Sequence, residues 1–142
     1  INKMISYTLH LMQSSANSKR IALLKNINCK VEIMGDAYMI EFILRNLVSN
    51  AIKFSNNGSV VMVKLRSDED YFSISVKDQG AGIPSELQNK LFDPFYQSPG
   101  SQFGLGLGLY IAKSLVELHK VKIWLTSHIV RGTTFYIQLP LY

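Results

Sequence analysis

The stretch QFGLGLGLYIAKSL, residues 102–115, joins a glycine-rich segment to an apolar pattern of helical period. Glycine stands at alternate positions, Gly104, Gly106 and Gly108. A residue without Cβ lets a ligand approach the backbone, and the first N–H groups of a helix have no partner inside the helix. The stretch lacks the Lys-Ser/Thr ending of a P-loop and the glycine spacing of a dinucleotide-binding motif. Taken alone, it indicates either a phosphate cradle or a flexible turn that leads into a core helix.

Composition favours one domain with its own hydrophobic core. The chain has 142 residues, and its formal charge of +5 comes from basic residues that are scattered along the sequence, so we expect no nucleic-acid partner. The single cysteine, Cys29, excludes an internal disulfide and a cysteine metal cluster. No apolar run reaches the roughly 20 residues of a membrane span, and we expect a soluble piece that could come from a membrane protein.

The first third of the chain alternates between helical and extended patterns. Apolar spacing predicts a short helix over residues 4–12, and the polar run 13–20 predicts a loop. Residues 21–27 and 30–34 have the pattern of short strands, with a turn at Asn28.

The longest helical pattern covers residues 37–54 and follows a predicted N-cap at Asp36. Asn46, Asn50 and Lys53 lie on one stripe of this helix, opposite its apolar face. A solvated face is one explanation, although asparagine is a poor interior helix former. The other explanation is a site in which an amide oxygen binds Mg²⁺ and the lysine meets a phosphate.

Two alternating segments, residues 59–67 and 71–77, predict antiparallel strands. The second leads directly into Asp78, which is followed by Gly80 and Gly82. This pattern predicts either an ordinary turn aspartate or a carboxylate in a cleft that accepts a hydrogen bond from a buried amine.

The last third predicts one more helix and two more strands. The segment LFDPFYQ, residues 91–97, precedes a polar stretch over 97–103 that we interpret as a mobile loop or lid. The second long helix should end near His119, and strands are predicted over 122–127 and 133–139.

Together these segments resemble the catalytic and ATP-binding domain of sensor histidine kinases, in the GHKL group that also holds type II topoisomerases and the heat-shock and mismatch-repair ATPases. The resemblance spans about residues 21–140 and rests on five segments in order, RNLVSNAIKF, DQGAGI, LFDPFY, GLGLGLYI and RGTTFYIQLP. It implies a Bergerat-type α/β two-layer sandwich, with a mixed, mainly antiparallel sheet and helices on one face. It also implies one domain over residues 1–142, in which 1–20 form an amino-terminal helix and loop.

The resemblance implies ATP and Mg²⁺ as cofactors. Asp78 would receive the exocyclic amine of adenine, and Asn50 would hold the metal. The residues implied at the reaction centre near the phosphates are Asn46 and Lys53. The further residues implied to bind the nucleotide are Phe54, Gly80, Gly82, Ile83, Gly104, Leu105, Gly106, Leu107, Gly108, Leu109, and Thr133 or Thr134.

One position separates a kinase from an ATPase. The group's ATPases carry a glutamate four residues before the metal-binding asparagine, whereas this chain has Asn46, and an amide is not a general base. The resemblance therefore implies transfer to a histidine rather than fast hydrolysis. His10 lacks the acidic residue that follows the family's phosphoacceptor, so the acceptor hairpin is expected outside this chain.

The implied partners are the dimerisation and phosphoacceptor domain of a parent kinase and, through the parent, a response regulator. We expect the fragment to be a monomer from a homodimeric parent, and cytoplasmic even where the parent is anchored in the inner membrane. Residues 91–112 contain no Lys or Arg, which leaves open a nucleotide-binding regulatory module without phosphotransfer. Lys120 stands where the family usually has glycine, so we expect the turn there to avoid the left-handed conformation.

Overall fold

The computed structural model describes residues 1–32, 35–97 and 106–141. Its five-stranded mixed sheet has the order β1-β2-β3-β5-β4, in which β1 pairs parallel to β2 and every other pair is antiparallel. The strands are β1 (Ala22–Ile27), β2 (Val60–Ser67), β3 (Tyr71–Lys77), β4 (Lys122–His128) and β5 (Gly132–Pro140). The helices are α1 (Asn2–Ser18), α2 (Ala37–Phe54), α3 (Ser85–Gln88), the 3-10 helix Asn89–Phe92 and α4 (Gly108–Leu118). The α/β sandwich predicted from the sequence is confirmed.

Helix α2 forms the centre of the helical layer. The Asp36 carboxylate caps it by accepting hydrogen bonds from the N–H groups of Tyr38, at 2.9 Å, and Met39, at 3.2 Å. This confirms the predicted start of the helix. The whole predicted apolar face is buried: Met39, Ile40, Ile43, Leu44, Leu47, Val48, Ala51 and Ile52.

The sheet buries one face and leaves the other open. Alternate residues of the three central strands point into the core, because successive side chains of a strand lie on opposite faces. These inward residues are Val61, Val63, Leu65, Phe72, Ile74, Val76, Phe135, Ile137 and Leu139. The predicted strands of this part of the chain are confirmed, and the core lies between the sheet and the three long helices.

The amino-terminal third differs from the prediction in two places. Helix α1 continues through the polar run to Ser18, because Ala16 is fully buried and anchors the last turn. The predicted loop over residues 13–20 is therefore wrong. Residues 30–32 form no strand, and the Cys29 carbonyl before them accepts a hydrogen bond from the side-chain amide of Asn2 in α1, at 2.9 Å. Residues 33–34 of that predicted strand lie outside the described residues.

Helix α4 ends in a left-handed residue, contrary to expectation. Lys120 has φ of 55°, and the N–H of Val121 then donates to the Val116 carbonyl at 3.0 Å. Arg20, with φ of 54°, ends α1 in the same way. In both places the next residue, Val121 or Ile21, is buried. Burial of that apolar side chain and the closing hydrogen bond offset a conformational cost of about 1–2 kcal/mol.

In the part of the chain that the structure describes, no helix is both long enough and apolar enough to cross a membrane.

Candidate functional site

A recess of about 330 Å³ opens where α2 ends and β3 leads into the following loop. Backbone and apolar side chains form most of its wall, and a buried carboxylate and a hydroxyl provide its polar groups. The lining residues are Phe54, Asp78, Gly80, Ala81, Gly82, Ile83, Pro84, Leu87, Tyr96 and Thr133.

The Asp78 carboxylate is the only charged group lining this recess, among the residues described, and its side chain is held rigidly. Its Oδ1 accepts hydrogen bonds from the N–H groups of Gly80, at 2.9 Å, and Thr133, at 3.1 Å. The second oxygen, Oδ2, has no hydrogen-bond partner in residues 1–32, 35–97 or 106–141. Burial raises the pKa of the Asp78 carboxyl, although the hydrogen bonds from Gly80 and Thr133 act in the opposite direction. One oxygen is thus fixed, and the other is available to a donor on a ligand.

Glycine at two positions lets the loop after β3 pack closely on its neighbours. A Cβ on Gly80 would collide with the carbonyl oxygen of Phe54, at the end of α2. Gly82 has φ of 78°, and a Cβ there would collide with the carbonyl of His128. The loop therefore follows the surfaces of α2 and of the β4–β5 turn, and its backbone forms one wall of the recess.

A pair of hydroxyl groups supports this wall from below. Thr133 is buried, and its Oγ1 lies 2.7 Å from Oγ of Ser127. Ser127 Oγ also accepts a hydrogen bond from the N–H of Ile83 at 2.8 Å. Ser127 was not predicted from the sequence, but counting back from the β4–β5 turn would have paired it with Thr133.

A row of side chains on α2 leads away from the recess. Asn46, Asn50 and Phe54 follow one another at intervals of four residues, so they share one face over about 12 Å of helix. The Asn46 side-chain amide donates to the Phe42 carbonyl at 2.8 Å. The Asn50 amide makes no hydrogen bond to any other residue that the structure describes. Lys53 Nζ lies 5.1 Å from the centroid of the Phe54 ring.

The start of α4 lies at the far end of this row. A Cβ on Gly108 would collide with Oδ1 of Asn46, so the two helices approach closely at this point. No side chain among the described residues caps α4, and its first internal hydrogen bond is from the N–H of Ile111 to the Leu107 carbonyl, at 2.9 Å. The N–H groups of Gly108, Leu109 and Tyr110 precede that bond and have no partner within the helix.

The structure places most of the predicted site residues near one another. Around the recess it brings together Phe54, Asp78, Gly80, Gly82, Ile83 and Thr133. Asn46, Asn50 and Lys53 follow one another on α2, and Asn46 meets Gly108 at the start of α4, where Leu107 and Leu109 flank it. Gly106 packs on the backbone of Phe95 and Tyr96. Gly104, Leu105 and nearly all of the predicted lid lie outside the described residues.

The structure separates Thr134 from the recess. Successive residues of a strand point to opposite faces, so burial of Thr133 in the recess places Thr134 on the open face of the sheet. There it lines a separate concavity with Lys64, Lys77 and Tyr136.

The sequence prediction also missed lining residues that contribute backbone or apolar contacts, namely Ala81, Pro84, Leu87 and Tyr96. Tyr96 belongs to the LFDPFY segment, and this motif could have indicated from the sequence that Tyr96 lies near the site.

Comparison with known proteins identifies the family. The sequence model of one protein family, the histidine kinase-, DNA gyrase B- and HSP90-like ATPases, matches residues 35–142. The chain belongs to this family.

Its similar relatives include a sensor histidine kinase and a heme sensor protein. The sensor histidine kinase RcsC of Escherichia coli K12 is 40% identical over 116 residues, which is 79% of this chain and 12% of RcsC. The heme sensor protein HssS of Staphylococcus saprophyticus is 33% identical over 137 residues, 96% of this chain and 30% of HssS. The chain thus spans less than a third of the length of these relatives.

Solved structures agree with this assignment. The catalytic domain of histidine kinase ThkA superposes with a TM-score of 0.90 at 26% identity, covering 99% of this chain and 92% of that one. A structure of ThkA in complex with the response regulator protein TrrA matches with a TM-score of 0.85 at 25% identity, covering 100% of this chain and 40% of that one. The fold and family are those of the ATP-binding catalytic domain of histidine kinases.

Proposed function

We propose that this chain binds Mg-ATP and is the catalytic domain of a sensor histidine kinase, transferring the γ-phosphoryl group to a histidine on a separate dimerisation domain. The observation that carries the proposal is the Asp78 carboxylate, which lines the recess, with one oxygen fixed by two backbone N–H groups and the other without a hydrogen-bond partner among the described residues.

Adenine suits this recess because it has a flat apolar body and an amine at its edge. The amine would donate to Asp78 Oδ2, and a hydrogen bond to a charged acceptor contributes about 1.5–3 kcal/mol. Phe54 would lie along the base or the ribose. Thr133, held by its contact with Ser127, would accept or donate a further bond at the base edge or to a water beside it.

The row on α2 suits the phosphates and their metal. Mg²⁺ takes oxygen ligands and completes its shell with water and phosphate oxygens, so one amide oxygen from Asn50 is an adequate protein contribution. No cluster of three or more His, Cys, Asp or Glu side chains that could hold a metal occurs among the described residues. Lys53 and the N–H groups at the start of α4 would neutralise phosphate charge.

The chemistry expected of this site is phosphoryl transfer, which depends on positioning and charge neutralisation rather than on covalent help. Asn46 occupies the position at which an ATPase needs a general base, so bound ATP would hydrolyse slowly. Its own amide already donates to the Phe42 carbonyl. The implied partners are the phosphoacceptor domain of the parent and, in two-component signalling, a response regulator, as ThkA has in its complex with TrrA.

One observation favours a second candidate, a regulatory module that binds nucleotide without transferring phosphate. Residues 91–112, which include the predicted lid, contain no Lys or Arg to stabilise the charge that develops on the γ-phosphate. Described cationic groups near the row on α2 include Lys53 and Arg45, and Arg45 lies 3.9 Å from Glu41.

Two measurements test the proposal. Calorimetric titration with a non-hydrolysable ATP analogue, with and without Mg²⁺, should give binding that the metal strengthens. A phosphoacceptor hairpin from a histidine kinase relative such as RcsC, supplied in trans with labelled ATP, should then become labelled on histidine. Binding without labelling would favour the regulatory module, and fast phosphate release by the chain alone would indicate an ATPase. A lack of binding at millimolar nucleotide would contradict all three.

A further inference from the structure

The ammonium group of Lys19 lies at the carboxyl end of α2. Its Nζ donates hydrogen bonds to three main-chain carbonyls, those of Ile52 at 2.8 Å, Lys53 at 2.9 Å and Ser55 at 2.7 Å. An ammonium has three protons, and here each has an acceptor. Lys19 itself is half-buried at the end of α1. A residue 33 or more positions earlier in the chain therefore closes the end of α2.

These contacts satisfy groups that the helix cannot satisfy itself. The last carbonyls of a helix have no internal partner and carry the negative end of its dipole, so a cation is favoured there. Main-chain atoms of Lys19 extend the contact, because its carbonyl accepts a hydrogen bond from the N–H of Gly58 at 2.9 Å. Both the end of α2 and the turn that follows it are thus attached to one residue.

The segment held by Lys19 forms part of the wall of the recess. Phe54 lies between the bonded carbonyls of Lys53 and Ser55, and it lines the recess. Ser55 then forms an isolated antiparallel bridge with Gly80. Gly80 in turn donates to Asp78 Oδ1 at 2.9 Å. A continuous series of contacts therefore runs from Lys19 through the end of α2 to the buried carboxylate.

We propose that Lys19 is a positioning residue for the nucleotide site. It sets the point at which the chain leaves α2, and through that point it places Phe54 and Lys53 against the ligand and Gly80 against Asp78. This inference rests on the proposed function, since it assumes that the recess receives the nucleotide. Lys19 would not touch the nucleotide itself.

The alternative is that Lys19 only stabilises the fold. The two roles differ in what happens to the folded protein: a structural cap changes the free energy of unfolding, whereas a positioning residue also changes ligand affinity well below the unfolding transition. Lys19→Met removes the three donors and keeps the length of the side chain. Lys19→Arg keeps the charge, but its planar guanidinium cannot direct donors to three converging carbonyls equally well.

Two control variants accompany these. Lys25→Met makes the same substitution at an exposed lysine whose Nζ donates to Ser6 Oγ, at 2.6 Å, away from the recess. Ile5→Ala removes buried volume from α1 and destabilises the fold while Lys19 stays in place. Urea denaturation first identifies a temperature at which every variant is folded in the absence of urea. All variants are then titrated at that temperature with the non-hydrolysable ATP analogue and Mg²⁺.

Lys19→Met should weaken analogue binding about tenfold, Lys19→Arg by a smaller factor, and both controls by less than about twofold. If Lys19→Met lowers stability as Ile5→Ala does and leaves affinity unchanged, the positioning role is overturned.

Amide hydrogen exchange tests the same inference without nucleotide. Lys19→Met should speed exchange at Ser55 and Gly80 well beyond the change that Ile5→Ala causes there. Unchanged exchange at both amides would overturn the proposal even if the chain binds no nucleotide. Failure of the wild-type chain to bind, with exchange altered as expected, would contradict the proposed function and leave the coupling between Lys19 and the recess established.

Discussion

The proposed nucleotide site has two ends, which are organised differently: the recess around Asp78, and the row on α2 together with the start of α4. At the recess, Asp78 is 5% exposed, one of its oxygens accepts two backbone hydrogen bonds, and Thr133 is buried beside it. At the other end, the Asn50 amide has no hydrogen-bond partner in the described part of the chain, and the start of α4 has no side-chain cap. At the recess the protein itself supplies these partners, whereas at the other end the Asn50 amide and the first N–H groups of α4 have none among the described residues.

This difference indicates how binding free energy would be divided. Groups already held in place cost little entropy when a ligand binds, so the recess should provide most of the affinity and the choice of base. Groups on α2 and at the start of α4 would be ordered by the phosphates and Mg²⁺, so this end should carry the dependence on metal. Substitutions at the two ends should then have effects of different size and different dependence on Mg²⁺.

The largest effect is expected from Asp78→Asn. The new amide keeps the shape of the side chain but lacks the charge and one of the acceptors, so loss of a charge-assisted hydrogen bond of up to about 3 kcal/mol should weaken nucleotide binding about 100-fold. Calorimetric titration measures this, and the loss should be equal with and without Mg²⁺. Asp93→Asn, at an exposed aspartate, is the matched control. Equal affinities for wild type and Asp78→Asn would show that the recess does not bind the nucleotide.

Gly82→Ala should have the next largest effect, on stability. The positive φ and the collision of a Cβ with the His128 carbonyl would force the loop away from the β4–β5 turn, at a cost of about 1–3 kcal/mol. Urea denaturation measures the free energy of unfolding. Gly35→Ala is the matched control, because a Cβ there meets nothing within 4 Å. If Gly82→Ala and Gly35→Ala are equally stable, the close packing of the loop after β3 against the His128 carbonyl is not required for stability.

Asn50→Ala should separate the two ends of the site most cleanly. It removes one oxygen ligand of the metal, so affinity should fall about tenfold in the presence of Mg²⁺, as for a contact of about 1.4 kcal/mol, and stay unchanged in its absence. The same titrations with Asn89→Ala, an exposed asparagine on the 3-10 helix, provide the control. An equal loss with and without Mg²⁺ would mean that Asn50 contacts the nucleotide directly.

The smallest effect is expected from pH. Burial raises the pKa of Asp78 in the folded chain, so the folded state binds this proton more tightly than the unfolded state does. Ionisation of Asp78 therefore costs stability as pH rises from its ordinary value of 3.8 through the raised folded value. Stability of the wild type relative to Asp78→Asn should rise as pH falls through this window, by at most about 1.4 kcal/mol per pH unit.

Denaturation of both proteins at several pH values measures this difference. Nucleotide affinity should change in the opposite direction, because a protonated Asp78 presents a weaker acceptor to the adenine amine. A stability difference that is constant with pH would show that Asp78 ionises as easily in the folded chain as in the unfolded one.

Much of the fold could be predicted from sequence patterns that extend over only a few residues. The cap at Asp36, the helical period of α2 and the alternation in β2 and β3 each depend on neighbours within one or two turns or along one strand. The same holds for the order of the motif segments, which placed Asp78 at the end of a strand and glycines behind it. Such local patterns predicted the sandwich and most of the residues around the recess.

Contacts between segments that are distant in the sequence could not be predicted from such local patterns. The polar end of α1 is helical because Ala16 is buried by packing, and Lys120 adopts a left-handed conformation because Val121 is buried after it. The choice between Thr133 and Thr134 depends on which face of the sheet the helices cover. Three of the basic residues that look scattered in the sequence, Lys64, Arg66 and Lys77, meet on the open face.

The sequence by itself determined the family, the order of elements and the residue types available to a nucleotide, because these depend on local period and on motif spacing. Tertiary structure alone decided which groups meet: Ser127 with Thr133, Asn46 with Gly108, and Lys19 with the end of α2. The physical reason is that each of these contacts joins separate segments through strand register or helix packing, which no short window of sequence specifies.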